Sequence, residues 1–429
     1  MCGIAGIIGN NENREQVMPV MLHAQRHRGP DTQCTWKDEN IILGHNRLSI
    51  IDLHESANQP MHSTCGRYVI VFNGEIYNYK ELTRQLSSEY TFQTRSDTEV
   101  ILAAYIKWGK NMLDGLNGMF AFGIWDKEKK KLFAARDRFG VKPFYYSISQ
   151  NNFYFSSEIK TLWVAEIPKE KNLHVWSKYL AFGSYGLPHE TFWKNILQLP
   201  AGHYIEVSPA TEDALDSTVQ PTLWYNFAER IKQAPQLEIN ELKEKYFYLL
   251  KKSIQYRFIS DVPVGFNISG GLDSSTLLAL INQAFPDNKS IEAFTFYTGH
   301  PDYDELQWVE QMITLTGNPL NTCLLKIETV PDLIEKVSYY QDEPFGGFPT
   351  LAYSLIFKKA KEKGIIVLLD GQGMDEAWAG YDYYQTNTGF TVQGAKTSPV
   401  KPEILNKEFL AAGGEKIFPS PFDNNLQNL

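Results

Sequence analysis

Residues 264–283 read VGFNISGGLDSSTLLALINQ, and the change of rhythm inside this run decides half of the fold. Val264 to Ile268 is apolar and β-prone, whereas Ser274 to Gln283 has helical character; Ser269, Gly270, Gly271, Leu272 and Asp273 stand between them. Two glycines let a backbone approach an oxyanion, serine hydroxyls add donors, and a helix N-terminus offers unpaired N–H groups at a positive dipole end. The run therefore predicts a strand, a pyrophosphate cradle and a helix, with Ser269, Gly270, Gly271, Asp273, Ser274 and Ser275 facing the phosphates. No lysine follows the glycines, so this is not the GxxxxGK[ST] loop. A double glycine alone would be an ordinary capped turn.

Outward from this run the alternation continues. Ala293 to Tyr297 reads as a strand, Glu305 to Thr316 and Ala352 to Lys363 as helices, and Ile365 to Leu369 as a strand buried on both faces. Helix Glu238 to Phe258 precedes them. This order predicts a doubly wound parallel sheet, in which loops at the carboxyl ends of neighbouring strands converge on one crevice. The acidic loop Asp370, Gly371, Gln372, Gly373, Met374, Asp375, Glu376 should then face the cradle. Carboxylates beside phosphates suit Mg²⁺, a cation that prefers hard oxygen donors. From Thr386 onward Gly, Pro, Asn and Lys break every pattern.

The other half begins Met1, Cys2, Gly3, Ile4, Ala5, Gly6. Once Met1 is removed, Cys2 carries a thiol and a free α-amine of reference pKa about 8, which is nucleophile and base on one residue. Strands are predicted at Cys2 to Ile8, Ile41 to Gly44, Tyr68 to Phe72, Met119 to Trp125 and Lys131 to Ala135; helices at Glu15 to His27, Tyr79 to Leu86 and Asp97 to Trp108. Asn73–Gly74 has the form of a hairpin turn. The polar stretch Ser208 to Gln220 marks a linker. The domains expected are residues 2–205, a linker over 206–235, and 236–429.

Composition narrows the function. The 429 residues carry a net charge of -9, which argues against a nucleic-acid or anionic-membrane partner. Four cysteines without a CxxC pair indicate neither a disulfide framework nor a zinc site, and no signal-peptide layout or membrane-length apolar run is seen. A cytoplasmic protein is expected.

The runs RHRGPD (26–31), RLSII (47–51), NGEIY (73–77), SDTE (96–99), RDRFGVKPFY (136–145) and SEIK (157–160), taken with MCGIAG and SGGLDSS, make the chain resemble the glutamine-hydrolysing asparagine synthetases from Cys2 to about Tyr384. The resemblance implies an N-terminal-nucleophile αββα sandwich followed by a doubly wound ATP-pyrophosphatase domain. It implies that Cys2 attacks the glutamine carboxamide, with Asn73 and the N–H of Gly74 as the oxyanion hole. Arg47 and its neighbours Leu48, Ser49, Ile50 and Ile51 would hold the substrate, Arg47 by its α-carboxylate, with Glu75 and Asp97 on the α-ammonium. The second domain would use ATP and Mg²⁺ to activate aspartate or another small acid as an acyl-AMP for ammonia. Asp273 and Asp375 would hold the metal, Glu343 would act as base, Phe296 would line the adenine pocket, and Asp370 and Gly371 would complete the ATP site. A homodimer is a possible assembly.

The chain departs from the family at three places. Its acidic loop reads GQGMDE where many relatives read GEGADE or GEGSDE, so Gln372 lacks a carboxylate. Gly346 and Gly347 follow Phe345 where many relatives carry an aspartate. The chain stops at Leu429 where family members continue into a helical segment, which gives the expectation of a truncated chain or fragment. Two rivals therefore stand beside asparagine synthesis: amidation of another carboxylate, such as a sugar uronate or peptide acid, and a synthesis-incompetent binding protein retaining only glutaminase activity.

Overall fold

The computed structural model describes residues 1–10, 12–209, 219–287, 290–374 and 404–413. Cys2 stands immediately before the strand that organises the first half, which starts one residue later than expected. β1 (Gly3–Ile8) alternates its side chains: Ile4 and Ile8 enter one core, Ala5 and Ile7 another. Such period-2 alternation with both faces apolar is what a strand between two layers requires. Gly6 lies on the inner face, where a Cβ would come within 2.1 Å of the Phe155 ring.

β1 pairs antiparallel with β3 (Ile41–Arg47), which pairs with β2 (Thr32–Asp38); on its other side β1 pairs with β9 (Asn152–Ser156), followed by β8 (Tyr145–Ser149) and β10 (Leu197–Gln198). A second six-stranded sheet runs β12 (Thr222–Leu223), β11 (His203–Val207), β7 (Lys131–Arg136), β6 (Gly118–Asp126), β5 (Tyr68–Ile76) and β4 (Met61–His62). Their facing surfaces share a core of Ile4, Ile8 and Leu43 against Val69, Val71, Trp125 and Leu132. α1 (Arg14–Ala24) covers the outside of the first sheet, and α2 (Tyr79–Leu86) with α3 (Asp97–Trp108) covers the second. This is the expected αββα sandwich.

The second half holds a parallel sheet in the order β15 (Leu320–Leu324), β14 (Ala293–Tyr297), β13 (Val264–Asn267), β16 (Val367–Leu369). α8 (Ile239–Arg257), α9 (Leu272–Ala284) and α10 (Leu306–Thr316) pack one face through Ile254, Leu278, Ile281 and Val309. α12 (Phe348–Glu362) covers the other face with Ile356 and Ala360, after α11 (Val330–Gln341). Helices on both faces make the sheet doubly wound.

Several expectations shift. β3 and β5 run past Gly44 and Phe72, because His45, Asn46, Arg47 and Asn73 are polar residues buried within strands. Asn73–Gly74 is not a hairpin turn: the pair continues β5 opposite Ala121 and Phe120. Within the stretch 206–235, Thr222–Leu223 still belongs to the second sheet. Beyond Thr386, where no pattern was legible, Lys407–Ala412 forms a helix capped by Asn406, whose side chain accepts from the N–H of Glu408 at 2.8 Å.

Candidate active site

A cavity of about 670 Å³ opens beside Cys2, walled by Arg47, Leu48, Ile50, Ile51, Asn73, Gly74, Glu75, Asp97 and Lys142, with Phe357 and Ile365 closing it from the second half. The thiol is fixed by a strand neighbour: Leu48 N–H reaches Cys2 Sγ at 3.4 Å, and the Leu48 carbonyl lies 3.6 Å from it. Burial pushes the Cys2 thiol up, opposed by the adjacent α-amine, the Leu48 N–H, Arg28 and Arg47. The amine of Met1, one residue outward, is itself lowered to about 5 by burial.

Asn73 is wholly buried, lines this cavity, and among the described residues neither Oδ1 nor Nδ2 has a hydrogen-bond partner. Buried polar groups are rarely left so, and an orphaned amide facing a cavity calls for a ligand. Its neighbour Gly74 stands opposite Phe120, whose N–H donates to Asp137 Oδ2 at 3.1 Å and whose carbonyl accepts from Asp137 N–H at 2.8 Å. Both backbone groups of Phe120 thus face away from β5, so 74 and 120 form a non-hydrogen-bonded pair and Gly74 N–H points off the sheet. A Cβ on Gly74 would strike the Met119 carbonyl at 2.2 Å.

The acids behind Asn73 are Glu75 and Asp97, both buried. Desolvation raises Glu75 and pushes Asp97 up to about 7, although Asp97 Oδ2 accepts from Ile76 N–H at 2.9 Å. Arg47 is partly committed elsewhere: its guanidinium donates to His54 O and Asn58 Oδ1, both at 2.8 Å, and to Asp52 O. Among the described residues that leaves two of its five N–H donors without a partner. Ser49 does not line the cavity; its N–H donates to Asp31 Oδ2 at 2.7 Å.

Lys142 was missed by sequence reasoning. Asp137 gathers the N–H groups of Phe139, Val141 and Lys142, and the tight turn it builds delivers the lysine to the cavity. Burial lowers its ammonium, and Glu75 is the chief opposing charge. The run RDRFGVKPFY marked this segment, but only the fold reveals where its lysine goes.

The second cleft, about 550 Å³, forms where the ends of β13 and β16 meet. Ser269, Gly271, Asp273, Ser274, Phe296, Asp370 and Gly371 line it, together with Asn267, Tyr353 and Gln372, which sequence reasoning left out of the nucleotide site. Ser274 Oγ accepts from Ser269 N–H at 3.1 Å and meets Ser269 Oγ at 3.1 Å. Gly270 adopts φ +83 with Trp308 packed behind it, while Gly371 lies so close to α9 that a Cβ would sit 3.1 Å from Ser274 N. The two predicted loops therefore touch. Asn267 Nδ2 donates to Asp370 Oδ2 at 2.9 Å, which holds that carboxylate in the cleft. Hydroxyl and carboxylate oxygens of this kind fit a magnesium–phosphate ligand. Among the described residues no three His, Cys, Asp or Glu side chains gather as a metal site, and Asp375 lies outside them.

Glu343 departs from its expected place. It does not line the cleft; its Oε1 accepts from Phe192 N–H of the first half at 2.9 Å, and burial raises it to about 7. A third cavity, about 520 Å³, lies between the two sites. It shares Met1, His27, Arg28 and Phe357 with the first and Tyr353 with the second. No helix among the described residues is long and apolar enough to cross a membrane.

Comparison with known proteins adds a name to each half. A family described as a glutamine amidotransferase domain matches residues 1–217, and one described as asparagine synthase matches 245–413. A Methanocaldococcus jannaschii protein, provisionally named a glutamine-hydrolysing asparagine synthetase, is 36% identical over 89% of this chain and 76% of its own. Asparagine synthetase 1 of Bacillus subtilis is 32% identical over 90% of this chain, which spans 60% of that relative. Amidase chry2 of Gibberella zeae is 28% identical over 90% of this chain and 60% of its own. Two modules in this order, matched along nearly the whole chain, place it: the protein belongs to the glutamine-hydrolysing asparagine synthetase family.

Proposed function

We propose that the protein transfers ammonia from glutamine to an ATP-activated carboxylate, aspartate being the acceptor. The observation that carries this reading is the row of three adjoining cavities from Cys2 to the Ser269–Ser275 loop, each sharing part of its lining with the next, along which ammonia would pass. In the first cavity Cys2 Sγ attacks the carboxamide carbon and its proton passes to the α-amine. The oxyanion falls between Asn73 Nδ2 and Gly74 N–H, donors that need no reorganisation. Collapse expels ammonia, which takes that proton, and leaves a thioester that water cleaves. Arg47 holds the α-carboxylate through its uncommitted N–H groups, and Glu75 and Asp97 hold the α-ammonium.

In the second cleft the acceptor carboxylate attacks the α-phosphorus of ATP and pyrophosphate leaves into the Ser269–Ser275 cradle. Asp273 and Asp375 are the residues that would hold Mg²⁺, which when bound offsets the phosphate charge. Phe296 faces the base, and Asp370 and Gly371 close the nucleotide site. Ammonia then attacks the acyl-adenylate and AMP departs. Glu343 is left out of that step, because its carboxylate accepts from Phe192 across the seam.

The acceptor has a second reading. Gln372 stands in the cleft where many relatives carry glutamate, and amidases are among the similar chains. Pyrophosphate release from ATP, Mg²⁺ and ammonia, assayed with aspartate and then a panel of uronates and peptide acids, decides between them. Asparagine is the expected product. Amidation of another acid moves the assignment to that acid, and no pyrophosphate with any acid defeats the synthetase reading.

A further inference from the structure

We propose that Lys160 is a positioning residue, a charged latch that holds the second half's Asp342–Glu343 turn against the first half so that ammonia released at Cys2 is not lost on the way. The proposal rests on the amidation reading above.

Lys160 is 5% exposed, at the start of a short helix in the first half. Its ammonium has three donors and finds three acceptors: Glu158 Oε2 at 2.7 Å, Asp342 Oδ2 at 3.2 Å and Tyr340 O at 3.4 Å. The backbone N–H of the same residue also donates to Asp342 Oδ2, at 2.9 Å. Trp193 Nε1 holds the Asp342 carbonyl at 2.8 Å, and Phe192 N–H holds Glu343. Asp342 itself ends α11 at φ 61, a left-handed conformation that among non-glycine residues Asn and Asp adopt most readily.

On the other side of the lysine, Glu158 Oε1 accepts from Arg28 at 3.2 Å and meets His27 Nε2 at 2.8 Å, while Arg28 Nε donates to the Cys2 carbonyl at 2.9 Å. One continuous set of bonds thus runs from Cys2 through Arg28, Glu158 and Lys160 to Asp342. The third cavity lies along it, lined by His27, Arg28, Glu158, Tyr340 and Asp342. Removing one partner of a buried ion pair leaves the other charge uncompensated. Without Lys160, Glu158 would keep His27 and Arg28, whereas Asp342 would lose the one cation it pairs with among the described residues. The opening would therefore occur on the second half's side of the cavity and leave Cys2 undisturbed.

The test uses the full chain, with Lys160→Met and Lys160→Arg, and counts glutamine hydrolysed per amide formed. For Lys160→Met we expect the count to rise at least about threefold, with glutamine hydrolysis and ammonia-driven synthesis each kept within about twofold, since the charge is lost at the seam rather than in either site. Lys160→Arg, which keeps the cation, should stay near the wild-type count. An unchanged count in Lys160→Met, or an equal fall in glutamine-driven and ammonia-driven synthesis, overturns the proposal. If the wild-type chain forms no amide from any acid, the amidation reading fails instead; hydrogen exchange over residues 338–345 then tests the latch. Exchange at least about tenfold faster in Lys160→Met supports it, and unchanged exchange overturns it.

Discussion

The cavity at Cys2 and the cleft at Gly270 are built by opposite means. Around Cys2 the contacting groups sit in or beside antiparallel strands, and one of them, the Asn73 amide, is left without a partner among the described residues. Around Gly270 the groups sit on loops at the ends of parallel strands, and Ser269 and Ser274 hydrogen-bond each other. A donor held rigidly and unpaired acts at once on a developing charge. Donors that satisfy each other must exchange partners before they can serve a ligand, so the second cleft is less preorganised than the first.

The hardest attempt to break this contrast is Cys2→Ala. It should lower glutamine hydrolysis by at least about 10⁴-fold, as loss of a covalent nucleophile does, while ammonia-driven pyrophosphate release stays within about twofold. Retained hydrolysis would remove Cys2 from the mechanism. Next comes Asn73→Ala, expected to reduce the hydrolysis rate by about 10²–10³-fold, the usual effect of losing one oxyanion donor. Because the unpaired amide disappears with the substitution, thermal stability should not fall; a clear drop in melting temperature would make Asn73 a structural residue.

The smallest effect sharpens the comparison at the seam between the halves. Burial pushes Glu158 up, but the His27 bond, Arg28 and Lys160 outweigh it and hold the carboxyl at about 2, against 4.5 when free. Burial instead raises Asp342, whose one cation among the described residues is Lys160. A carboxyl lowered on folding contributes stability above its free value and loses it as pH falls through the folded one. Glu158 should thus withdraw about 3 kcal/mol between about pH 4.5 and 2. Calorimetry across that window should show the transitions of the two halves separating, and Glu158→Gln should remove the dependence.

Much of this was legible in the chain, for reasons that differ by region. The phosphate loop is local: strand, glycines and helix lie within twenty consecutive residues, so their spacing alone specifies the turn. Cys2 was legible from its place at the amino end, whereas Asn73 and Asp97 were nameable as site residues only through the family resemblance, because Asn73–Gly74 reads locally as a hairpin and becomes strand only when β6 pairs with it. Lys142, Lys160 and Asn267 were not legible, since each becomes meaningful through partners brought from far along the sequence. Glu343 was misplaced for the same reason: its neighbour Phe192 lies 151 residues away. The short strands Met61–His62, Leu197–Gln198 and Thr222–Leu223 are too brief to show a period.

At the threshold of β13, Asp261 binds the first half twice: its N–H donates to the Ile50 carbonyl at 2.9 Å, and its Oδ2 accepts from the N–H of Asp52 at 2.8 Å. Ile50 lines the cavity at Cys2, and the next element after Asp261 leads directly into the Ser269–Ser275 loop. The modules are consecutive in the chain but not detachable along it. A cut before residue 261 would free the Asp52 amide and the Ile50 carbonyl beside the cavity at Cys2, so an excised first half would be a poorer reporter of its own pocket than the joined protein.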